Sequence, residues 1–232
     1  MKKLINFGLV LGAATALAVA AGINPAGAVT ISIGIEDVGA GEVSPTLVGS
    51  GTGIASASGV HNNWTFSATG SGSPPNATTD LLGSNAIQVS SGASGGIFDV
   101  FVTVSGITNP NGVLSFLSTF TTNALSAGMT ATLSTLLSTT NALFSGVALS
   151  TATFNGPDLL DTRAFSQTAN AGSGPFSLTA VYQVTATGPG QQANDTINIA
   201  VPGPVIGAGL PGLIAACGGL IALARRRRQQ RA

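Results

Sequence analysis

The chain reads as an all-β protein, an antiparallel β-sandwich or jelly-roll-like domain over residues 29–200, followed by a C-terminal transmembrane helix. Three observations predict the β domain. Apolar residues recur at every second position in several runs, the period of a strand with one buried face. Clusters of Gly, Pro, Asn and Ser punctuate those runs at short intervals. The stretch between the two apolar ends also has the length of one domain with a core of its own.

In order along the chain, Ile31, Ile33 and Ile35 alternate with Ser32 and Gly34 and predict a first strand. Val60, Asn62, Trp64, Phe66 and Ala68 alternate with polar neighbours and predict a half-buried strand over 60–69. Ile97 to Val104 is nearly continuous in apolar residues, as a central strand buried on both faces would be. Val113, Phe116, Leu117, Phe120 and Ala124 have helical spacing, and Leu133, Leu136, Leu137, Thr140 and Phe144 repeat it. The many Ser and Thr residues there, which divert hydrogen bonds to the local backbone, favour strands over helices for 113–145. The text Thr-Thr-Asn-Ala-Leu occurs twice in that stretch, at 121–125 and 139–143, too short a repeat for a solenoid. Phe176 to Ala186 alternates again. Turn signals stand at 70–76, 109–112, 155–157 and 188–190, and short strands so spaced indicate a sandwich.

The formal net charge of zero conceals an uneven distribution. Lys2 and Lys3 open the chain and Arg225 to Arg228 and Arg231 close it, which leaves Arg163 alone against all eight acids. A body so short of cations offers no groove for nucleic acid, whose phosphates require clustered Lys and Arg. With one His and one Cys in the whole chain, a structural zinc or haem site is excluded as well.

Both ends carry targeting signals. Met1-Lys2-Lys3, an apolar run to about Ala21, and small residues at Ala26 and Ala28 compose a signal peptide over 1–28, with cleavage expected after Ala28. Residues 205–224 carry no charge and are long enough to span a bilayer as a helix; Cys217 lies within them as a small apolar residue. Arg225, Arg226, Arg227 and Arg228 follow as a stop-transfer cluster, leaving 225–232 as a cytoplasmic tail. These signals predict export through signal peptidase and the general secretion machinery and an inner-membrane anchored precursor.

Between body and span stands Val201-Pro202-Gly203-Pro204, at positions 201–204. Its prolines fix their own φ, cannot donate to a ladder and hold the preceding residues extended. A short proline motif, an apolar helix and a terminal arginine cluster together resemble the PEP-CTERM sorting signal of exported bacterial proteins. The resemblance covers 201–231 and implies an exosortase-like membrane protease as partner. Gly203 stands where the usual motif has Glu, which implies a variant enzyme. It also implies a polysaccharide-producing Gram-negative host.

Chemistry in the body is sparse. Gly92-Ala93-Ser94-Gly95-Gly96 matches G-x-S-x-G, but an apolar strand follows where a nucleophile elbow needs a helix. His61, the only imidazole, reads as an exposed side chain on the polar phase of its strand. Glu36, Asp37 and Glu42 could offer oxygens to calcium, yet they read as solvated turn acids. Asp158, Asp161 and Arg163 suggest a local ion pair, and Gly49 to Gly53 lacks the lysine of a phosphate loop. Trp64, Phe66 and Tyr182 could stack on a sugar, although aromatics at strand period are more often core. The expectation is a non-enzymatic surface or matrix protein of structural or interaction type, with no catalytic residue, metal or cofactor and with extracellular polysaccharide as a potential partner. The alternative is a surface-tethered carbohydrate-binding protein or hydrolase acting on matrix polysaccharide.

Overall fold

The computed structural model describes residues 29–72 and 80–201. The signal peptide with Ala26 and Ala28, the motif residues Pro202, Gly203 and Pro204, the span 205–224 and Arg225 to Arg228 lie outside the described residues. Among the described residues no helix is long and apolar enough to cross a membrane.

Among the described residues twelve strands form the body: β1 (Thr30–Glu36), β2 (Thr46–Thr52), β3 (Ile54–His61), β4 (Trp64–Ser71), β5 (Asp80–Ser91), β6 (Gly96–Ile107), β7 (Val113–Leu125), β8 (Met129–Ser138), β9 (Val147–Asn155), β10 (Asp161–Asn170), β11 (Phe176–Ala186) and β12 (Gln192–Ala200). A 3₁₀ turn at Val38–Ala40 is the one helical element among the described residues. The strands make two six-stranded antiparallel sheets, one in the order β2-β1-β6-β11-β8-β9 and the other β10-β7-β12-β5-β4-β3. From β5 onward the pairing is nested: β8 with β9, β7 with β10, β6 with β11, β5 with β12. One antiparallel ribbon rolled in this way is a jelly roll, so the β-sandwich expectation holds and its topology is resolved. The first four strands widen it, β1 adding to β6 and β4 to β5, with β2 and β3 outermost.

Alternation in the text becomes the core. Ile31, Ile33 and Ile35 from β1, Phe98, Val100 and Val102 from β6, and Ala180, Tyr182 and Val184 from β11 are all buried. They face Trp64, Phe66, Phe116, Phe120 and Ile197 from the other sheet. Each large side chain so buried contributes roughly 1.5–3 kcal/mol, and no cysteine in the body assists. Hydroxyls also enter the interior, in pairs: Ser118 meets Thr135 at 2.8 Å across the two sheets. Tyr182 crosses the core as well, its hydroxyl accepting the Ile197 N–H at 2.9 Å and meeting Ser84 Oγ.

Residues 113–145 contain β7 and β8, as the Ser and Thr content favours, and the helical spacing found there is incidental. The strand expected over 60–69 is corrected to a hairpin: β3 ends at His61, Asn62 and Asn63 turn, and β4 begins at Trp64. Asn62 takes φ +50, a left-handed value that Asn tolerates. The two-residue turn pairs His61 with Trp64 and so inverts the odd-even phase: Trp64, Phe66 and Ala68 of β4 face inward, whereas Val60 pairs with Thr65 and ends 75% exposed on the outer strand.

The continuous apolar run of β6 has a further cause. Residues 139–146, between β8 and β9, fold back over the outer face of the first sheet. The Phe144 ring lies 5.9 Å from that of Phe101, its backbone N–H donates to Thr103 Oγ1 at 3.2 Å, and Asn141 accepts the Gly106 N–H at 2.7 Å. This strap buries Phe101 and Thr103, the residues of β6 that alternation would send to solvent.

Candidate functional site

At one end of the sandwich the turn acids meet the β3–β4 hairpin. Glu42 accepts the Asp37 N–H at 2.7 Å and lies 2.7 Å from His61 Nε2. Asp37 caps the 3₁₀ turn through the Ala40 N–H at 3.0 Å and accepts from Asn62 at 3.2 Å. The Asp37 N–H bond, followed by the His61 contact, holds the Glu42 carboxyl below the ordinary glutamate range. His61 is therefore not the freely exposed side chain expected; it is half-buried and paired. The three acids weighed for calcium are divided: Asp37 and Glu42 are spent on local hydrogen bonds, while Glu36 faces Asp99 across β1 and β6. Among the described residues no group of three metal-ligating side chains converges.

The G-x-S-x-G text forms the β5–β6 connection, strand to strand. Asn63 clamps it, donating to Ser94 O at 2.6 Å and Ser94 Oγ at 3.0 Å and accepting the Ala93 N–H at 2.7 Å. Ser94 thus contacts an amide, and the imidazole contacts a carboxylate. Trp64 (1% exposed), Phe66 (5%) and Tyr182 (0%) are core, with Trp64 stacked on Phe98 at 5.3 Å, so they make no sugar platform. Arg163 and Asp161 pair at 3.0 Å as expected, without Asp158. Arg163 also donates to Thr153 O at 2.8 Å and lies 4.5 Å over the Phe154 ring, joining β10 to β9 where the sheets meet.

Two carboxyls are buried. Asp99 is 7% exposed with its Oδ1 unpartnered, and burial pushes it up to about 6. Asp195 is 1% exposed with neither oxygen hydrogen-bonded, and burial pushes it up to about 7. Asp195 sits opposite Thr122, beside a β-bulge.

That bulge shapes the outer face of the second sheet. Asn194 pairs with Ala124 and Asp195 with Thr122, so Asn123 is the extra residue of β7. Bulges re-aim side chains. Here the alternation of β7 carries Thr122 inward and Asn123 outward, the extra residue leaves Asn123 and Ala124 both on the outer side, and Asn123 donates to Asn194 Oδ1 at 2.9 Å and Thr196 Oγ1 at 3.1 Å. Gln88, Asn123, Ala124, Gln192, Ala193 and Asn194 line a cleft of about 310 Å³ there, without a charged group. A second cleft of about 470 Å³ lies between the strap and β10, lined by Leu137, Thr140, Gly146, Val147 and Asn170 among others. Sequence reasoning missed the amide cleft, because Gln and Asn on a polar phase carry no motif.

No family model matches the chain, and no curated protein matches it. Among solved structures it is similar to TmCBM61 in complex with β-1,4-galactotriose (TM-score 0.36, 10% identity, 64% of this chain and 88% of that one). It is also similar to the enzymatically active domain of bacteriophage CBA120 tailspike protein 4 (TM-score 0.32, 13% identity, 60% of this chain and 19% of that one). A third is Arthrobacter globiformis T6 isomalto-dextranase complexed with panose (TM-score 0.28, 12% identity, 72% of this chain and 30% of that one). At superpositions this loose no ligand or activity is carried across, and the jelly-roll assignment rests on the strand order itself.

Proposed function

We propose that this is an exported surface or extracellular-matrix protein of structural and interaction type, delivered by a cleaved leader and sorted through its PEP-CTERM-like tail by an exosortase-like protease. The observation that carries the reading is the extent of the fold. Its strands run from Thr30 to Ala200, with Val29 and Val201 both buried at the margins. A cut after Ala28 or within Val201 to Pro204 would remove no strand, so a processed body keeps its whole core. A domain held by packing alone, without disulfides, is indifferent to the redox state of the compartment it enters.

An interaction role is supported by the outer face of the second sheet, which presents hydroxyls and amides along β4, β5, β12 and β7, and a neutral extracellular polysaccharide is the partner class that suits it. Intact mass and terminal sequencing of the protein recovered from envelope and medium test the sorting reading. Val29 at the N-terminus and a C-terminus near Val201 to Pro204 are expected. An unprocessed chain ending at Ala232 in the inner membrane would overturn it.

A further inference from the structure

The geometry points to the amide cleft on the outer face of the second sheet as a binding site for a linear, uncharged glycan laid across the strands. This rests on the reading above, in which polysaccharide is the partner class. Ser67 of β4 pairs with Gln88 of β5, Gln88 with Asn194 of β12, and Asn194 hydrogen-bonds Asn123 of β7. Four uncharged polar side chains therefore stand in one row on four neighbouring strands. Strands lie about 4.8 Å apart, a spacing comparable to one hexopyranose unit along an extended chain. The row thus offers one polar group for each successive sugar.

The chemistry of the row selects its ligand. Elsewhere on the outer faces hydroxyls satisfy each other across strands, as in Ser115 with Ser166 at 3.1 Å and Ser134 with Thr151 at 3.0 Å. In the cleft the Asn123 amide nitrogen is committed to Asn194 and Thr196, which leaves Asn123 Oδ1 to accept and Asn194 Nδ2 to donate. Donor beside acceptor is the pattern that vicinal sugar hydroxyls complement, since each hydroxyl both donates and accepts. A charged glycan finds no counter-ion in the lining. The lining also holds no acid or base, so a bound chain is held and not cleaved. The bulge at Asn123 is the second, independent sign: it interrupts the β7–β12 ladder at the cleft and leaves Asn123 and Ala124 side by side on the outer face.

Affinity electrophoresis of the full-length protein in mild detergent tests this, in gels containing dextran, hydroxyethylcellulose or the acidic polymer alginate. Retardation by at least one neutral polymer and not by alginate is expected. Gln88→Ala combined with Asn194→Ala should weaken it about tenfold, as the loss of two net hydrogen bonds implies. Gln88→Ala alone, at an exposed position, should weaken it less and leave the unfolding temperature unchanged. Ser134→Ala with Thr151→Ala, on the opposite face, should have no effect. Migration unaffected by either neutral polymer, equal retardation by alginate, or retardation that survives the Gln88→Ala and Asn194→Ala pair would each overturn the inference. Terminal sequencing reads the sorting proposal separately, so a processed surface protein that ignores neutral polymers would defeat this inference alone.

Discussion

Asp195 is the residue at which the interior departs furthest from an apolar core. A carboxyl 1% exposed, without a hydrogen bond to either oxygen, is pushed towards the neutral acid by desolvation. Its folded value of about 7 lies above the 3.8 of an ordinary aspartate. The fold therefore prefers the protonated form, so the stability Asp195 contributes is fully present below about pH 4 and is lost as the pH rises towards 7. The span of that loss is on the order of 4 kcal/mol. Asp99, pushed up to about 6 first by burial and then by neighbouring Glu36, adds a smaller loss of the same sign. Glu42 acts oppositely, since its lowered carboxyl gives stability present above the usual glutamate range and lost as the pH falls through the folded value. Chemical denaturation between pH 4 and 8 should show stability declining with pH, and Asp195→Asn should flatten most of the decline. An undiminished slope in that variant would place the effect elsewhere. Nothing in Asn-Asp-Thr at 194–196 marks the acid as buried. Its burial follows from the alternation of β12, which sends Ala193, Asp195, Ile197 and Ile199 inward together.

At the scale of elements, the same five residues have two fates. Thr-Thr-Asn-Ala-Leu at 121–125 lies within β7, while at 139–143 it begins the strap over the first sheet. Local propensity is identical in the two copies, so tertiary contacts decide between them. The strap depends on a small residue beneath it, because a Cβ at Gly34 would stand 2.8 Å from Phe144 Cζ. Gly34→Ala should lift the strap, speeding amide exchange at Gly106 and Phe144, whose N–H groups it protects. Unchanged exchange would mean that the ring simply moves aside. Arg163→Ala should loosen β10 against β9 by about 1 kcal/mol, mostly through the lost contact with Phe154, because the pair with Asp161 is exposed. A thermal melt reads that change. The His61 end was half legible: the acids and the imidazole are evident in the text, but their meeting requires β3 to run back along β2 after Gly53, which returns 61 beside 42.

For the whole molecule, one core serves both sheets, and Trp64 is its largest side chain. Trp64→Ala should cost roughly 3–5 kcal/mol. Trp64, the sole tryptophan, should emit at short wavelength when native and shift to the red on unfolding. A red native spectrum would contradict its burial. Loss of binding in that variant would report an unfolded domain and not a sugar-stacking ring. The amino-acid sequence by itself determined the β class, the alternating core faces, the scarcity of charge and the absence of cysteine from the body, because period, composition and turn residues are local quantities. Only the tertiary structure decided the nested strand order, the strap over β6 and the amide row on four strands. Each of these brings together residues far apart in the chain, and strand pairing, which joins them, leaves no mark on either partner alone.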